Sequence, residues 1–185
     1  MNEEIKAAAD VLKKGGIILY PTDTIWGIGC DATNPEAVQR IYDIKKRPDS
    51  KSMLVLLDSE EKLNHYVDVP AIAFDLINVS DKPLTIIYPG AVNLAENLIS
   101  EDGSVGIRVT SDVFCSKLIR FLGKPIVSTS ANFSGKSWPA KFSDIDQTII
   151  DSVDYVVKYR QDEARSAKPS GIIKLGPNGE VKVIR

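Results

Sequence analysis

PIVSTSANFSGKS, residues 125–137, joins a short apolar run to a cluster of hydroxyl and amide side chains. Ile126 and Val127 suit the interior of a buried strand. Short hydrogen-bonding side chains follow at its end, namely Ser128, Thr129, Ser130 and Asn132. Because open α/β sheets bind their ligands at the ends of strands, we predict that this stretch is a buried strand that opens into a binding site.

The composition limits the class of protein. The 185 residues are 43% apolar and 26% charged, which is typical of one ordinary globular domain. The N-terminal Met-Asn-Glu-Glu is acidic where a secretory signal would be basic, and no apolar run approaches the ~20 residues of a membrane span. We therefore expect one domain over residues 1–185, located in the cytoplasm and without a membrane segment.

The net charge and the cysteine content argue against further classes of protein. The net charge of −2 argues against a general nucleic-acid coat, although a local basic patch leaves contact with RNA open. Cys30 and Cys115 lie far apart and lack Cys-x-x-Cys or histidine partner spacing. We therefore expect buried thiols, without a disulfide framework and without a metal site built from side chains.

Hydrophobic periodicity and turn signals predict alternating helices and strands. Helices are predicted at residues 5–12, 34–47, 71–79, 112–122 and 145–150. Strands are predicted at residues 17–20, 53–57, 84–88, 105–109 and 155–159, followed by a hairpin of residues 172–175 and 181–184. A capping box at 58–61 should start one more short helix, and Thr110-Ser111 should cap the helix of 112–122. The pattern predicts an α/β fold in which helices flank a twisted mixed sheet.

Two phosphate-binding motifs are almost present. SANFSGKS (130–137) resembles a P-loop whose first glycine is replaced, but Trp138-Pro139 follows where a helix should begin. GIGCDA (27–32) matches the dinucleotide fingerprint by letter, but no helix follows directly. We interpret its glycines as a tight strand or a close approach of two backbone segments.

Acid–base chemistry has few candidates. His65 is the single histidine and lies in a charged, surface-type helix, which disfavours a Ser-His-acid triad. Asp23 is the only acid within a candidate site. It could brace the turn of residues 22–24 or act in catalysis, and both alternatives stay open.

Positive charge beside hydroxyl groups indicates an anionic ligand. The candidate cations are Lys45, Arg47, Lys51, Arg108 and Arg185. Lys45 taken alone fits a solvated surface charge, but Arg108 alternates within an apolar strand. If Arg108 faces inward it needs an anionic partner, because an unpaired buried guanidinium is costly. The combination favours a shared anion-binding cavity.

Short motifs along most of the chain resemble those of the YrdC/Sua5 family. They are YPTDT (20–24), WGIGC (26–30), KKRP (45–48), PG (89–90), VGIRV (105–109), STSANFSG (128–135) and PS (169–170). Four motifs depart from the family pattern, at Trp26, at Ser52, at Ala91 and Asn93, and at Gly171, and none of these changes removes a candidate charge. The resemblance implies a single YrdC-like domain with a central basic cavity.

The resemblance also implies a reaction. L-threonine and bicarbonate would form a carbamate that attacks the α-phosphate of ATP, giving threonylcarbamoyl-adenylate and pyrophosphate. ATP is then a substrate, and Mg²⁺ is expected to accompany its triphosphate. The product would serve t6A modification of tRNA through a separate transferase complex, and a weak contact with tRNA is compatible with this role.

Residue roles follow from the positions of the matched motifs. The resemblance implies that Lys45 and Arg47 are catalytic. It implies that Thr24, Arg108 and Ser170 bind threonine, with Arg108 as a forked donor to the carboxylate. The nucleotide would be bound by Arg47, Lys51, Ser104, Ser128, Ser130, Asn132 and Arg185.

Two other functions stay open. A basic concave surface of the same fold could bind RNA or a nucleotide without turnover, which aromatic side chains among the basic ones would favour. Trp26, Phe133 and Trp138 qualify, and they suit one adenine better than a strand of RNA. A P-loop phosphotransferase would require Lys136, whereas a synthase would not.

Overall fold

The structure, a computed structural model, describes residues 1–46, 53–163 and 168–185. The α-helices are α1 (Asn2–Lys13), α2 (Pro35–Lys45), α3 (Ile72–Val79), α4 (Val113–Leu122) and α5 (Gln147–Ser152). The strands are β1 (Ile18–Tyr20), β2 (Gly27–Gly29), β3 (Leu54–Leu57), β4 (Leu84–Tyr88), β5 (Val105–Val109), β6 (Ile126–Ser130), β7 (Tyr155–Val156), β8 (Gly171–Leu175) and β9 (Val181–Val183). Short 3₁₀ helices lie at Glu60–His65, Glu96–Leu98 and Phe142–Asp144.

The strands form one mixed sheet in the order β7-β1-β2-β6-β3-β5-β4-β8-β9. β6, which ends in the polar stretch, lies between β2 and β3 and is antiparallel to both. β3 pairs in parallel with β5, and β4 pairs in parallel with β8. The predicted α/β fold with a mixed sheet is confirmed, and the strand that carries the polar stretch lies in the sheet interior.

One face of the sheet carries the larger hydrophobic core. Successive strand residues point to opposite faces, so alternate positions share an environment. Ile86, Ile107 and Val127 all belong to this core, and so do Val38 and Ile41 of α2. Burial of these side chains holds α2 against the sheet and supplies most of the apolar stabilisation on that side.

The other face is covered only in part. Leu56 and Ile126 of this face pack with α1 and α4, whose Leu12 and Leu118 belong to the same cluster. Further along β6, Ser128 and Ser130 point to the same face as Ile126, because alternate residues of a strand share a face. They lie at the end of the strand. The helices leave the polar end of this face uncovered, and the cavity described below lies there.

The structure corrects two predicted helix caps. The cap of α4 is Asp112, whose Oδ1 accepts from the Cys115 amide at 2.9 Å, rather than Thr110-Ser111. The predicted capping box at 58–61 is wrong, because Ser59 caps the 3₁₀ helix by accepting from the Glu61 amide. Neighbouring Ser, Thr and Asp side chains are all competent caps, so sequence alone does not choose between them.

Other predicted boundaries shift by small amounts. α5 begins at Gln147, two residues later than predicted, and β7 contains only Tyr155–Val156. The glycines of residues 27–29 form strand β2, which confirms their interpretation as a tight strand. His65 is exposed and both cysteines are buried and free, as expected. No helix in the described ranges is long and apolar enough to cross a membrane.

Candidate active site

A cavity of about 890 Å³ opens on the uncovered face of the sheet. Its walls include pairs of alternate residues from neighbouring strands. In three pairs the intervening residue packs in or against the larger core, and in the fourth it is Thr129, which also lines the cavity. These pairs are Thr85 and Ile87, Gly106 and Arg108, Ser128 and Ser130, and Ile172 and Lys174. The volume is within the range of small-molecule sites.

Most of the predicted site residues meet at this cavity. Thr24, Ser104, Arg108, Ser128, Ser130, Ser170 and Arg185 line it. Lys45 and Asn132 lie close by without lining it, and Arg47 and Lys51 lie outside the described residues. Residues that are distant in the sequence are therefore brought to one hollow.

Arg108 is a buried cation in the cavity wall. Its side chain is 2% exposed, and its Nη2 donates to Asp23 Oδ1 at 3.0 Å and to Thr24 Oγ1 at 3.3 Å. Among the described residues, the Nε of Arg108 has no hydrogen-bond partner. The inward arginine thus has the anionic partner that its burial requires, and it keeps unused donor capacity beside Thr24.

Asp23 serves Arg108 rather than its own turn. The turn of residues 22–24 is braced by Thr22, whose Oγ1 accepts from the Thr24 amide at 3.0 Å and donates to the Ile25 carbonyl at 2.8 Å. Asp23 Oδ2 accepts from Thr110 Oγ1 at 3.2 Å. With its other oxygen on Arg108, the carboxylate orients the guanidinium from the side.

Lys45 holds the loop that follows β6. Its side chain is buried, and Nζ donates to the backbone carbonyls of Ser130 and Asn132, each at 2.5 Å. The carbonyl of Lys45 accepts from the Ser134 amide at 2.9 Å. The end of α2 is thereby tied to the end of β6, directly beside the wall of the cavity.

A second cluster closes the opposite wall. Ser170 Oγ lies 2.8 Å from Thr85 Oγ1, so the two hydroxyls share a hydrogen bond between β4 and the start of β8. The Nε and Nη2 of Arg185 donate to the Ser170 carbonyl at 3.3 and 3.1 Å. This anchor places the Arg185 guanidinium at the cavity.

The rim carries two charged residues that sequence reasoning missed, Asp102 and Lys174. Ser104 Oγ donates to Asp102 Oδ1 at 2.6 Å, and Lys174 Nζ pairs with Asp102 Oδ2. The Lys174 and Ser104 hydrogen bonds lower the pKa of Asp102 to about 2. The alternation of β8 could have identified Lys174, since it shares a face with Ile172. No sequence signal pairs it with Asp102.

The described lining contains charges of both signs. Arg108, Lys174 and Arg185 are cationic, and Glu101 and Asp102 are anionic. No cluster of three or more His, Cys, Asp or Glu side chains suited to a metal occurs within the described part of the chain. The three cationic side chains can hold an anion by charge. The hydroxyls of Ser128 and Ser130, which line the same cavity, can add hydrogen bonds.

Two of the departures from the family pattern have a local structural account. Asn93 adopts a left-handed conformation with φ of 57°, and its Nδ2 donates to the His65 carbonyl at 2.8 Å. Asparagine tolerates this conformation better than most side chains. At Gly171, a β-carbon would meet Leu84 at 3.7 Å, so the position has ordinary space for a small side chain.

The architecture and the cavity define a class of protein: an open mixed α/β sheet with a polar small-molecule site on its partly covered face. The Sua5/YciO/YrdC family model, described as "Telomere recombination", matches residues 10–185. The chain therefore belongs to the Sua5/YciO/YrdC family, which confirms the resemblance drawn from its motifs.

Curated relatives cover nearly the same length. A protein of Pseudoalteromonas translucida named threonylcarbamoyl-AMP synthase is 33% identical over 181 residues, which are 96% of this chain and 95% of that protein. A protein of Vibrio parahaemolyticus with the same name is 28% identical over 184 residues, covering 94% of this chain and all of that protein.

Solved structures show the same fold. E. coli YciO superimposes with a TM-score of 0.87 at 26% identity, covering 100% of this chain and 89% of that one. P. abyssi Sua5 complexed with L-threonine gives a TM-score of 0.81 at 25% identity over 92% of this chain. Our chain spans 50% of the P. abyssi protein.

Proposed function

We propose that the protein makes threonylcarbamoyl-adenylate and pyrophosphate from L-threonine, bicarbonate and ATP. Relatives that match over nearly their full length bear the name threonylcarbamoyl-AMP synthase. The observation that carries the proposal is Arg108, whose guanidinium is buried in the cavity wall and fixed there by its ion pair with Asp23. An amino acid carboxylate is a natural acceptor for such a donor.

Threonine is assigned to the wall around Arg108. The guanidinium would hold the carboxylate, and Asp23 keeps the guanidinium in place. Thr24 and Ser170 contribute hydroxyls that can bond the amino acid. The structure of P. abyssi Sua5 with L-threonine supports this choice of ligand, since that protein shares the fold.

The nucleotide is assigned to the remaining polar walls. Ser104, Ser128 and Ser130 offer hydroxyls, and Arg185 offers a guanidinium held by the Ser170 carbonyl. We keep Arg47 and Lys51 as the cations expected at the phosphates. The cavity would then be basic when the whole chain is counted, as the family resemblance implies.

Lys45 and Asn132 are assigned to the support of that wall. The ammonium of Lys45 is engaged with the carbonyls of Ser130 and Asn132, and these contacts favour positioning over direct contact with a reacting atom. Arg47 remains the proposed catalytic cation. Its role would be to offset the charge that develops at the α-phosphate.

The proposed chemistry needs no protein nucleophile. The carbamate already carries the attacking oxygen, so the protein has to hold two anions in line and neutralise charge. Mg²⁺ would enter with the triphosphate, and phosphate and water would supply most of its ligands, because Asp102 is engaged with Lys174 and Ser104. We place this reaction in a single domain in the cytoplasm, upstream of t6A formation on tRNA, where direct contact with tRNA would be weak.

A three-substrate assay tests the proposal. Pyrophosphate release should require ATP, L-threonine and bicarbonate together, and mass spectrometry should detect the adenylate. Release that ignores threonine would contradict the proposal, and nucleotide binding without release would support the binding module instead. Lys136→Ala serves as the control, because Lys136 is exposed and does not line the cavity, so this variant should keep full activity. A P-loop phosphotransferase would lose its activity.

A further inference from the structure

Three aromatic residues, Trp26, Phe133 and Trp138, lie near the polar end of β6, and they differ in burial and in the residues that they contact. Trp26 is 7% exposed and packs on Phe142, with ring centroids 4.8 Å apart. Phe133 packs against the larger core, and the Lys46 ammonium lies 5.4 Å from its ring centroid. Neither residue lines the cavity. Both rings are therefore engaged in packing.

Trp138 is different, because it lines the cavity and is 49% exposed. It is the only aromatic residue among the described residues that form the lining. A large indole left half exposed in this hollow loses the stabilisation that burial would give it. An aromatic ligand that covered the ring would restore that stabilisation.

The loop that carries Trp138 is held by several bonds. Nζ of Lys45 fixes the Asn132 carbonyl, and Nδ2 of Asn132 donates to the Lys136 carbonyl at 2.6 Å. The Lys136 amide donates to the Phe133 carbonyl at 3.1 Å. Downstream, Phe142 packs on buried Trp26. The indole is therefore presented from an anchored segment, which lowers the entropic cost of stacking a ligand on it.

We propose that Trp138 is the stacking platform for the adenine ring of the nucleotide, a binding role specific to this chain's own loop. The inference rests on the proposed function, since it needs a nucleotide in the cavity. A purine has a broad aromatic face that stacks on tryptophan with little regard for its hydrogen-bonding edge. The polar walls near Ser128 and Ser130 are then left to the ribose and phosphates.

Fluorescence and calorimetry on the full chain test this assignment. The protein has two tryptophans, and Trp26 is buried, so ATP should quench the emission of Trp138. Trp138→Phe should abolish the quenching and keep most of the ATP affinity, because the phenyl ring still stacks. Trp138→Ala should raise the Kd for ATP about tenfold and leave the Kd for L-threonine unchanged.

Phe121→Ala is the matched control, because Phe121 is a 50% exposed aromatic residue on α4 that does not line the cavity. It should leave the Kd for ATP unchanged. An unchanged Kd in Trp138→Ala would overturn the stacking role while leaving the proposed function intact. Equal loss of ATP affinity in Trp138→Phe and Trp138→Ala would also overturn it. If the wild-type protein binds no ATP, the proposed function itself fails. That result differs from the two outcomes above, in which the wild-type protein binds ATP and only the stacking role is overturned.

Discussion

The guanidinium of Arg108 is held by contacts that orient it more than they stabilise the fold. Its partner Asp23 is 10% exposed and lies 3.0 Å away. A buried ion pair gives little net stability, because the loss of hydration offsets most of the attraction between the charges. What the pair provides is a fixed direction for the remaining N–H groups. This is the property that recognition of a planar carboxylate requires.

Arg108→Lys should therefore damage threonine use while keeping the charge. Lysine is a point donor without the planar fork, so its Nζ cannot keep the Asp23 bond and also offer the carboxylate two parallel N–H groups. We expect the KM for threonine to rise about tenfold or more, in line with the ~1.5–3 kcal/mol of a hydrogen bond to a charged group, and the KM for ATP to change little. Steady-state kinetics with each substrate varied in turn provides the measurement.

Asp23→Asn is the companion variant for this experiment. It keeps the shape of the side chain and an acceptor oxygen but removes the charge that orients Arg108. A smaller rise in the threonine KM than that of Arg108→Lys is expected. If both variants use threonine as the wild-type protein does, Arg108 does not bind the carboxylate.

At the scale of elements, the link between α2 and β6 determines the shape of one cavity wall. α2 starts at a strong cap, since Asn34 Oδ1 accepts from the amides of Glu36 and Ala37 at 3.0 and 3.1 Å. It ends at Lys45, whose ammonium reaches the carbonyls at the end of β6. A displacement of the last turn of α2 would therefore move the end of β6 and the loop that carries Trp138.

Lys45→Met tests this link. The variant keeps the length and the apolar stem of the side chain, but it removes the donor of the Asn132 carbonyl and leaves the Ser130 carbonyl with the Asn132 amide alone. We expect the free energy of unfolding to fall by about 2 kcal/mol, because an unsatisfied buried acceptor costs ~1–3 kcal/mol. Urea denaturation measures this change, and the affinity for ATP should fall with it.

Lys46→Met is the control for that variant, because Lys46 is adjacent and exposed. Its removal should change the free energy of unfolding by no more than ~0.5 kcal/mol. Similar losses in the two variants would show that the loop is not held by the ammonium of Lys45.

The sequence predicted the strands well because period-two alternation and turn residues are local signals. Strands β4 and β5 have the predicted bounds, and the same alternation turns Arg108 to the face opposite Ile107, which belongs to the larger core. The capping residues were less accurate, since several adjacent side chains could each accept the same amide. Local patterns therefore located the elements better than their ends.

Long-range geometry limited the prediction of the site. The bonds of Lys45 cross 85 and 87 residues of chain, and the Lys174 to Asp102 pair crosses 72. Local patterns contain no signal for such partners. The family resemblance identified seven of the lining residues, but it could not distinguish a lysine that contacts a ligand from one that supports a loop. Trp138 was visible as an aromatic residue, but only the fold places it in the cavity wall.

At the scale of the whole molecule, buried phenols should make the protein sensitive to alkali. Burial raises the pKa of Tyr20, Tyr66 and Tyr88, and burial together with the hydrogen bond to Glu4 raises that of Tyr155 to about 12. The folded state therefore holds these protons to higher pH than the unfolded chain does. The stabilisation is complete below about pH 10, the unfolded value, and is lost as the pH rises toward the folded values.

The urea midpoint should accordingly fall between pH 9 and about pH 12. Absorbance at the phenolate band should show tyrosines ionising together with unfolding rather than before it. Tyr155→Phe removes one of the four phenols, so its midpoint should decline less steeply over the same range. A midpoint that is independent of pH up to about 12 would contradict this expectation.

The order of the strands has a consequence for how the molecule acquires its activity. One wall of the cavity is made by β8, which joins the sheet beside β4, and by Arg185, whose guanidinium rests on the Ser170 carbonyl. Thr24 contributes to the same hollow from the other end of the chain. A nascent polypeptide on the ribosome would thus remain unable to capture its ligands until residue 185 had been added, so ligand binding would report that translation of this segment was complete.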